Sequence, residues 1–291
     1  NIDRLDIDAA REALGKLGSE IGLGVEETAL AILTIVNQRM AGRTRLLSVE
    51  QGHDPRDFAL VVFGGAGPLH GAAIMREVGI RTMLLPPYPG VQCALGCAMA
   101  DIQYDMSLTV ERRAAELDDS WIAAALTDQR TNGEAQLAAS DARVDRIVVT
   151  HVAEMSYAGQ IHPLRVPVEH GWTRERMVEA FQDVYRAEYG NTLGDIPVVI
   201  VSLKTAVRGE RARPARTPAP LVPATPTPTA VRKVWFDGWT ETAIFDRATL
   251  APGHRFAGPA IVEQADTTAV IEPGMRARVD GYGNILVESA A

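Results

Sequence analysis

The stretch Phe63-Gly64-Gly65-Ala66-Gly67-Pro68-Leu69-His70-Gly71 lies between an apolar run, Ala59-Leu60-Val61-Val62, and a helix-compatible one, Ala72-Ala73-Ile74-Met75. A strand that enters a glycine turn and leaves as a helix is how many α/β proteins bring backbone close to a nucleotide. Downstream the alternation continues. Thr82-Met83-Leu84-Leu85 reads as a short strand, Pro86-Pro87-Tyr88-Pro89-Gly90 as a turn, and residues 91–100 as a helix. Strands alternating with helices predict an α/β fold with a parallel or mixed sheet.

Upstream, residues 8–22 read as an amphipathic helix capped by Asp8, with Ala10, Ala13, Leu14, Leu17 and Ile21 as its apolar stripe. A second helix follows Gly22-Leu23-Gly24 and is expected to end near Gly42 or to run on to Leu47. After Asp101 the pattern becomes α+β. Strands are predicted over 103–111, 144–154, 161–168 and 198–207, with helices over 119–141 and 173–189. Thr173 suits the cap of the last helix. Residues 211–230 hold six of the 17 prolines, interleaved with Ala and Thr, and read as a semi-rigid linker. Beyond it, short strands punctuated by Asp237-Gly238, Pro252-Gly253, Gly258-Pro259, Pro273-Gly274 and Asp280-Gly281 predict a small all-β, barrel-like unit. The expected organisation is an α/β region over 1–110, an α+β domain over 111–210, a linker over 211–230 and the β unit over 231–291.

Composition narrows the function classes. The 291 residues carry a formal charge of −8, which disfavours nonspecific binding to nucleic acid or anionic membranes. No apolar run approaches the roughly 20 residues a membrane span needs. Asn1-Ile2-Asp3-Arg4-Leu5 lacks the basic and apolar regions of a signal peptide, so a cytoplasmic location is expected.

Several constellations are candidates for chemistry. Gly65-x-Gly67 with Gly71 is close to a dinucleotide fingerprint, but His70 stands where its third glycine belongs. The following strand ends Leu84-Leu85-Pro86-Pro87, without the carboxylate that would hold a ribose hydroxyl. Two other readings are a tight helix–sheet approach and a mononucleotide packed against the turn. His70, at the start of the helix, is a candidate base or ligand contact. His151, Glu154 and His162 could converge on a metal from consecutive strands, though a structural role for His151 is favoured. Asp101 and Asp105 could bind a metal but read rather as helix-end and strand-start residues, and Cys93 and Cys97 could form a half metal site or redox pair but read rather as small buried residues. Neither G-x-S-x-G nor a Walker A sequence occurs.

Residues Asp54-Pro55-Arg56-Asp57-Phe58-Ala59-Leu60, then Phe63 to His70, resemble the hydantoinase A/5-oxoprolinase family, which also contains the ATP-using subunits of acetone and acetophenone carboxylases. The resemblance continues through Pro89-Gly90-Val91, Ala94-Leu95-Gly96, Ala100-Asp101 and Tyr157-x-Gly159-Gln160. It extends to Gly258-Pro259-Ala260-Ile261-Val262-Glu263, Pro273-Gly274 and Asp280-x-x-Gly283-Asn284. It implies that residues 1–110 are part of an actin-like, sugar-kinase-like ATPase domain. Gly64, Gly65, Ala66 and Gly67 would then contact the adenosine side of ATP, with Mg²⁺ accompanying the phosphates. The chemistry implied is phosphorylation of an amide or enol oxygen. Its outcome is cyclic-amide hydrolysis of the hydantoin, 5-oxoproline or lactam type, or ketone carboxylation; a non-catalytic assembly subunit is the third expectation.

The Asp-x-Gly-Gly-Thr phosphate loops of such proteins lie upstream of the region that this sequence resembles and do not occur in it. The resemblance therefore implies the C-terminal portion of a larger polypeptide or a split subunit. Its expected partners are a chain carrying the phosphate loops and a hydantoinase B-like subunit.

Overall fold

A computed structural model describes residues 6–213 and 215–289. The chain divides into two units: one is formed by residues up to Cys97 together with those from Ala215 onward, the other by Ala98–Pro214.

The first unit opens with α1 (Ile7–Ile21) and α2 (Val25–Glu50). Asp6, not Asp8, caps α1: its side chain accepts from the Ala9 N–H at 2.9 Å, which leaves Asp8 in the first turn. The stripe expected to be buried is not, since Leu17 and Ile21 are exposed and only Gly18 is buried. α2 runs past Gly42 and ends at Glu50, beyond the longer of the two expected ends, Leu47. A single glycine in an exposed helix costs only about 1 kcal/mol, and the chain does not turn until Gln51-Gly52. β1 (Ala59–Val61), α3 (Gly67–Val78), β2 (Thr82–Leu85) and α4 (Gln92–Met99) follow. β1 and β2 pair in parallel, Ala59 opposite Thr82. This is the strand–turn–helix–strand order that the alternation predicts.

The second unit is an antiparallel sheet of β3 (Ile102–Arg113), β4 (Arg146–Tyr157), β5 (Leu164–Val168) and β6 (Val198–Glu210), in the order β3-β6-β4-β5. Two helices, α5 (Asp119–Ala139) and α6 (Arg174–Tyr189), pack on it through Ile122, Leu126, Met177 and Phe181, against Met155, Tyr157, Ile200 and Leu203. Thr173 caps α6, as its position suggests, by accepting from the Arg176 N–H.

The C-terminal segment differs most from expectation. It forms β7 (Ala230–Trp235), β8 (Trp239–Asp246), β9 (Arg255–Ala257), β10 (Ala260–Gln264), β11 (Thr267–Ile271), β12 (Met275–Val279) and β13 (Ile285–Ser289). These strands close no barrel. They contribute to two open sheets, ordered β1-β2-β13-β12-β9 and β11-β10-β8-β7. Because β13 pairs antiparallel with β2, residues 231–291 are not a separate all-β unit. One core joins Met75 of α3, Met83 and Leu85 of β2, Ile271 of β11 and Val287 of β13. The proline-rich stretch, expected as a semi-rigid linker, is docked: the Ala219 N–H donates to Gly281 O at 2.8 Å, Val222 to Pro252 O at 3.2 Å, and Thr229 to Ile244 O at 2.8 Å. Extended backbone lacking its own ladder satisfies its polar groups on a neighbouring sheet.

Candidate functional site

The glycine turn leaves β1 after Val61 and becomes α3 at Gly67, with Pro68 in the first turn, where its missing N–H costs nothing. Gly64 has φ +82°, a left-handed conformation natural to glycine. A Cβ added at Gly64 or Gly67 would meet no protein atom within 4 Å, so both face open space. Gly71 is different. Its Cβ would lie 2.8 Å from Val62 Cγ1 and still closer to the Met83 sulfur, so this glycine permits α3 to lie on β2. The tight-approach reading therefore applies to Gly71, while Gly64 and Gly67 have no neighbour where a Cβ would stand.

Two further segments hold the turn. The Gly64 N–H donates to Pro89 O at 2.7 Å, joining it to the loop after β2. From the tip of the β10–β11 hairpin, the Thr267 hydroxyl lies 2.9 Å from Gly65 O and 3.3 Å from Gly64 O. The Asp266 carboxylate accepts from the Gly90 N–H at 2.9 Å, and Gln264 Nε2 donates to Pro87 O at 3.1 Å. Asp266, Thr267 and Gln264 carry no sequence motif. The hairpin's proximity to the turn is a long-range consequence of strand pairing, and no local signal pointed to it.

His70 lies in the first turns of α3, half-buried, with Nδ1 2.8 Å from Asn37 Oδ1 of α2. That bond ties the imidazole to a neighbouring helix. Cys93 and Cys97 are exposed on α4, contrary to the buried position expected for them, because α4 buries none of its residues.

The structure does not bring His151, Glu154 and His162 together. Residues 151 and 154 are an odd number apart on β4 and present to opposite faces. His151 is buried, its Nδ1 2.8 Å from Thr205 Oγ1, which itself donates to Gln129 Oε1 at 2.6 Å. Glu154 accepts from Lys204 at 2.5 Å and Ser202 at 2.7 Å; these bonds hold its carboxyl below the ordinary range. His162 is exposed in the connection between β4 and β5. Asp101 accepts from the Arg211 N–H at 3.0 Å, and Asp105 from Gln103 at 2.9 Å. Among the described residues, no group of three or more His, Cys, Asp or Glu side chains is placed to hold a metal ion, and no helix is long and apolar enough to cross a membrane.

Comparison with known proteins agrees with this architecture. Residues 2–106 match the hydantoinase/oxoprolinase family and residues 109–288 match the hydantoinase/oxoprolinase C-terminal domain. The caprolactamase subunit alpha of Pseudomonas jessenii is 29% identical over 293 residues, covering 95% of this chain and 42% of that protein. The acetone carboxylase beta subunit of Xanthobacter autotrophicus is 25% identical over 312 residues, covering 96% of this chain and 42% of that one. The crystal structure of the ATP-dependent caprolactamase from Pseudomonas jessenii superposes with a TM-score of 0.77 at 28% identity, covering all of this chain and 44% of that one. The chain thus spans less than half the length of these relatives. It belongs to the hydantoinase/oxoprolinase family.

Proposed function

We propose that this chain supplies the adenosine side of an ATP site in an ATP-dependent cyclic-amide hydrolase, within an actin-like ATPase domain. The observation that carries the reading is the turn at residues 64–67. Gly65 and Ala66 are exposed and Gly64 and Gly67 half-buried at the start of a helix, the latter two have no neighbour where a Cβ would stand, and adjoining loops hold the turn in place. Backbone kept bare and fixed suits close contact with a nucleotide. The 28% identity to an ATP-dependent caprolactamase over the whole chain supports the same assignment.

In this reading Gly64, Gly65, Ala66 and Gly67 contact the nucleotide. ATP supplies a phosphoryl group that turns the amide oxygen of the substrate into a leaving group. The phosphate loops are contributed by polypeptide outside this chain, and Mg²⁺ enters with the phosphates; no step is assigned to a metal on these residues. The protein is proposed to work in a cytoplasmic hetero-oligomer that also contains a hydantoinase B-like subunit.

α2 supports a partner for the first unit. Ile32, Leu33, Ile35, Val36, Leu47 and Val49 are exposed along it, among charged residues such as Arg39, Arg43 and Arg45, and so many exposed large apolar side chains on one helix suit a surface that another polypeptide covers. The alternative, a subunit of a ketone carboxylase, rests on the similarity to acetone carboxylase beta subunit.

Calorimetric titration of ATP into the native protein containing this chain, followed by assay of lactam and hydantoin opening with ADP release, tests the reading. Saturable ATP binding with amide-dependent ADP release is expected. ADP release that requires bicarbonate and a ketone would shift the assignment to the carboxylase, and no ATP binding would reject both.

A further inference from the structure

The β10–β11 hairpin has no part in the sequence motifs, yet its tip makes more polar contacts to the glycine turn and its neighbouring loop than any other segment described. We infer that Asp266 and Thr267 are positioning residues that orient the backbone of residues 64–67 toward the nucleotide, an inference that rests on the ATP-site reading above.

The argument is one of peptide geometry. In a planar trans peptide the C=O and the following N–H point in opposite directions. The Thr267 hydroxyl lies within hydrogen-bonding distance of both Gly64 O and Gly65 O. Drawing these two carbonyls toward the hairpin turns the N–H groups of Gly65 and Ala66 away from it. Among the described residues neither N–H has a protein acceptor, whereas the Gly64 N–H is already used by Pro89. The turn thus presents two unpaired donors, directed from behind by one hydroxyl.

Asp266 fixes the hairpin that carries this hydroxyl. Its carboxylate accepts from the Gly90 N–H at 2.9 Å, and the approach leaves no room for a side chain at position 90, where a Cβ would overlap the carboxylate. The Asp266 carbonyl oxygen also lies 3.4 Å from where a Cβ on Gly65 would stand. The turn, the loop over residues 87–90 and the hairpin tip therefore form a closed ring of contacts: turn to loop through Gly64 and Pro89, loop to hairpin through Gly90 and Asp266, hairpin to turn through Thr267 and Gly65. Asp266 is exposed, so its carboxylate adds nothing to the apolar core; Thr267 is only 7% exposed and holds its hydroxyl in one place.

Paired variants in the native protein containing this chain test the inference, with ATP affinity read by calorimetry and thermal unfolding as the control. Thr267→Val keeps the shape and removes the donor, while Thr267→Ser keeps the donor. Likewise Asp266→Ala removes the acceptor for Gly90, and Asp266→Asn retains one. We expect Thr267→Val and Asp266→Ala to weaken ATP binding about tenfold, and Thr267→Ser and Asp266→Asn to remain within about twofold of the parent. Should Thr267→Val fail to fold, the Asp266 pair at its exposed position decides alone. Unchanged ATP affinity in the donor- and acceptor-less variants, or equal weakening in the conservative ones, overturns the inference while leaving the ATP site standing. A parent protein that binds no ATP overturns both.

Discussion

Leu85 of β2 and Ile285 of β13 are register partners in one sheet, and both are buried, at 1% and 0% exposure. This pairing makes the end of the chain part of the sheet from which the glycine turn springs. β2 has β1 on one side and β13 on the other, so β13 shields what would otherwise be an open edge beside the turn.

Removing residues 231–291 is expected to unfold the first unit. The deletion takes away Ile285 and Val287, which pack on Met83 and Leu85, together with Ile271 and Phe245 of the same core. Each fully buried aliphatic or aromatic side chain contributes about 1.5–3 kcal/mol, and the net stability of a domain is only about 5–15 kcal/mol. Loss of several such residues exceeds the margin. Size-exclusion chromatography and circular dichroism of the truncated chain check this; a monomer that melts at the parent temperature would show that the sheet does not need β13.

The turn itself is best probed at Gly67. This residue is in helical conformation with open space where its Cβ would stand, so Gly67→Ala, which adds a Cβ without the branching that crowds a helical residue before Pro68, leaves the fold within about 1 kcal/mol of the parent. Backbone approach by ATP is nonetheless blocked, and affinity is expected to fall at least about tenfold by calorimetry. Gly64→Val is a poorer probe, because φ +82° strains any β-branched residue whatever binds there. Parent-like ATP affinity in Gly67→Ala, with an unchanged melting curve, would remove the turn from the site.

The stability of the second unit should decline below the ordinary histidine range. Burial, then His170 and then Arg130, depress the pKa of His151 from 6.5. The native state keeps the ring neutral while the unfolded chain takes up a proton. The contribution to stability is therefore fully present above pH 6.5, is lost progressively below it, and levels off beneath the folded-state value. Since Thr205 donates its own proton to Gln129, the His151 Nδ1–H is the donor to Thr205, a role that an asparagine amide can take over. Thermal melts from about pH 7.5 to about pH 5 should fall less steeply in His151→Asn than in the parent. Equal slopes would assign the acid sensitivity to other groups.

These tests fall on features that differ in how legible they were. β1, α3 and β2 could be read directly because each is a local pattern: an apolar run, a glycine turn with Pro68, then helical spacing. Thr173 capping α6 is similarly local. Pairing between β2 and β13 leaves no mark within either strand, since an apolar run looks the same whichever partner it takes. The stretch around Pro218, Pro220 and Pro223 has the composition of a linker, yet composition reports only that it makes no ladder of its own. Where its remaining N–H groups bond, as Ala219 does to Gly281, is decided by the fold. The same applies to Asp266 and Thr267, whose roles depend on a contact that spans most of the chain.

α2 offers the last test. Its 26 residues extend about 39 Å, yet only Thr28 and Ala41 are buried. Ile35 and Leu47, at 54% and 62% exposure, lie one on each half of the helix. Exposed side chains contribute little to the stability of the chain that carries them, so Ile35→Glu and Leu47→Glu should each change it by no more than about 0.5 kcal/mol. A charge placed on a surface that another polypeptide covers must be desolvated without a partner, which costs several kcal/mol. We therefore expect the two substitutions together to abolish association with a separately expressed polypeptide carrying the phosphate loops, while the melting temperature stays at the parent value. Retained association in the double variant, measured by analytical ultracentrifugation, would mean that the partner docks elsewhere and that α2 keeps its apolar face in water.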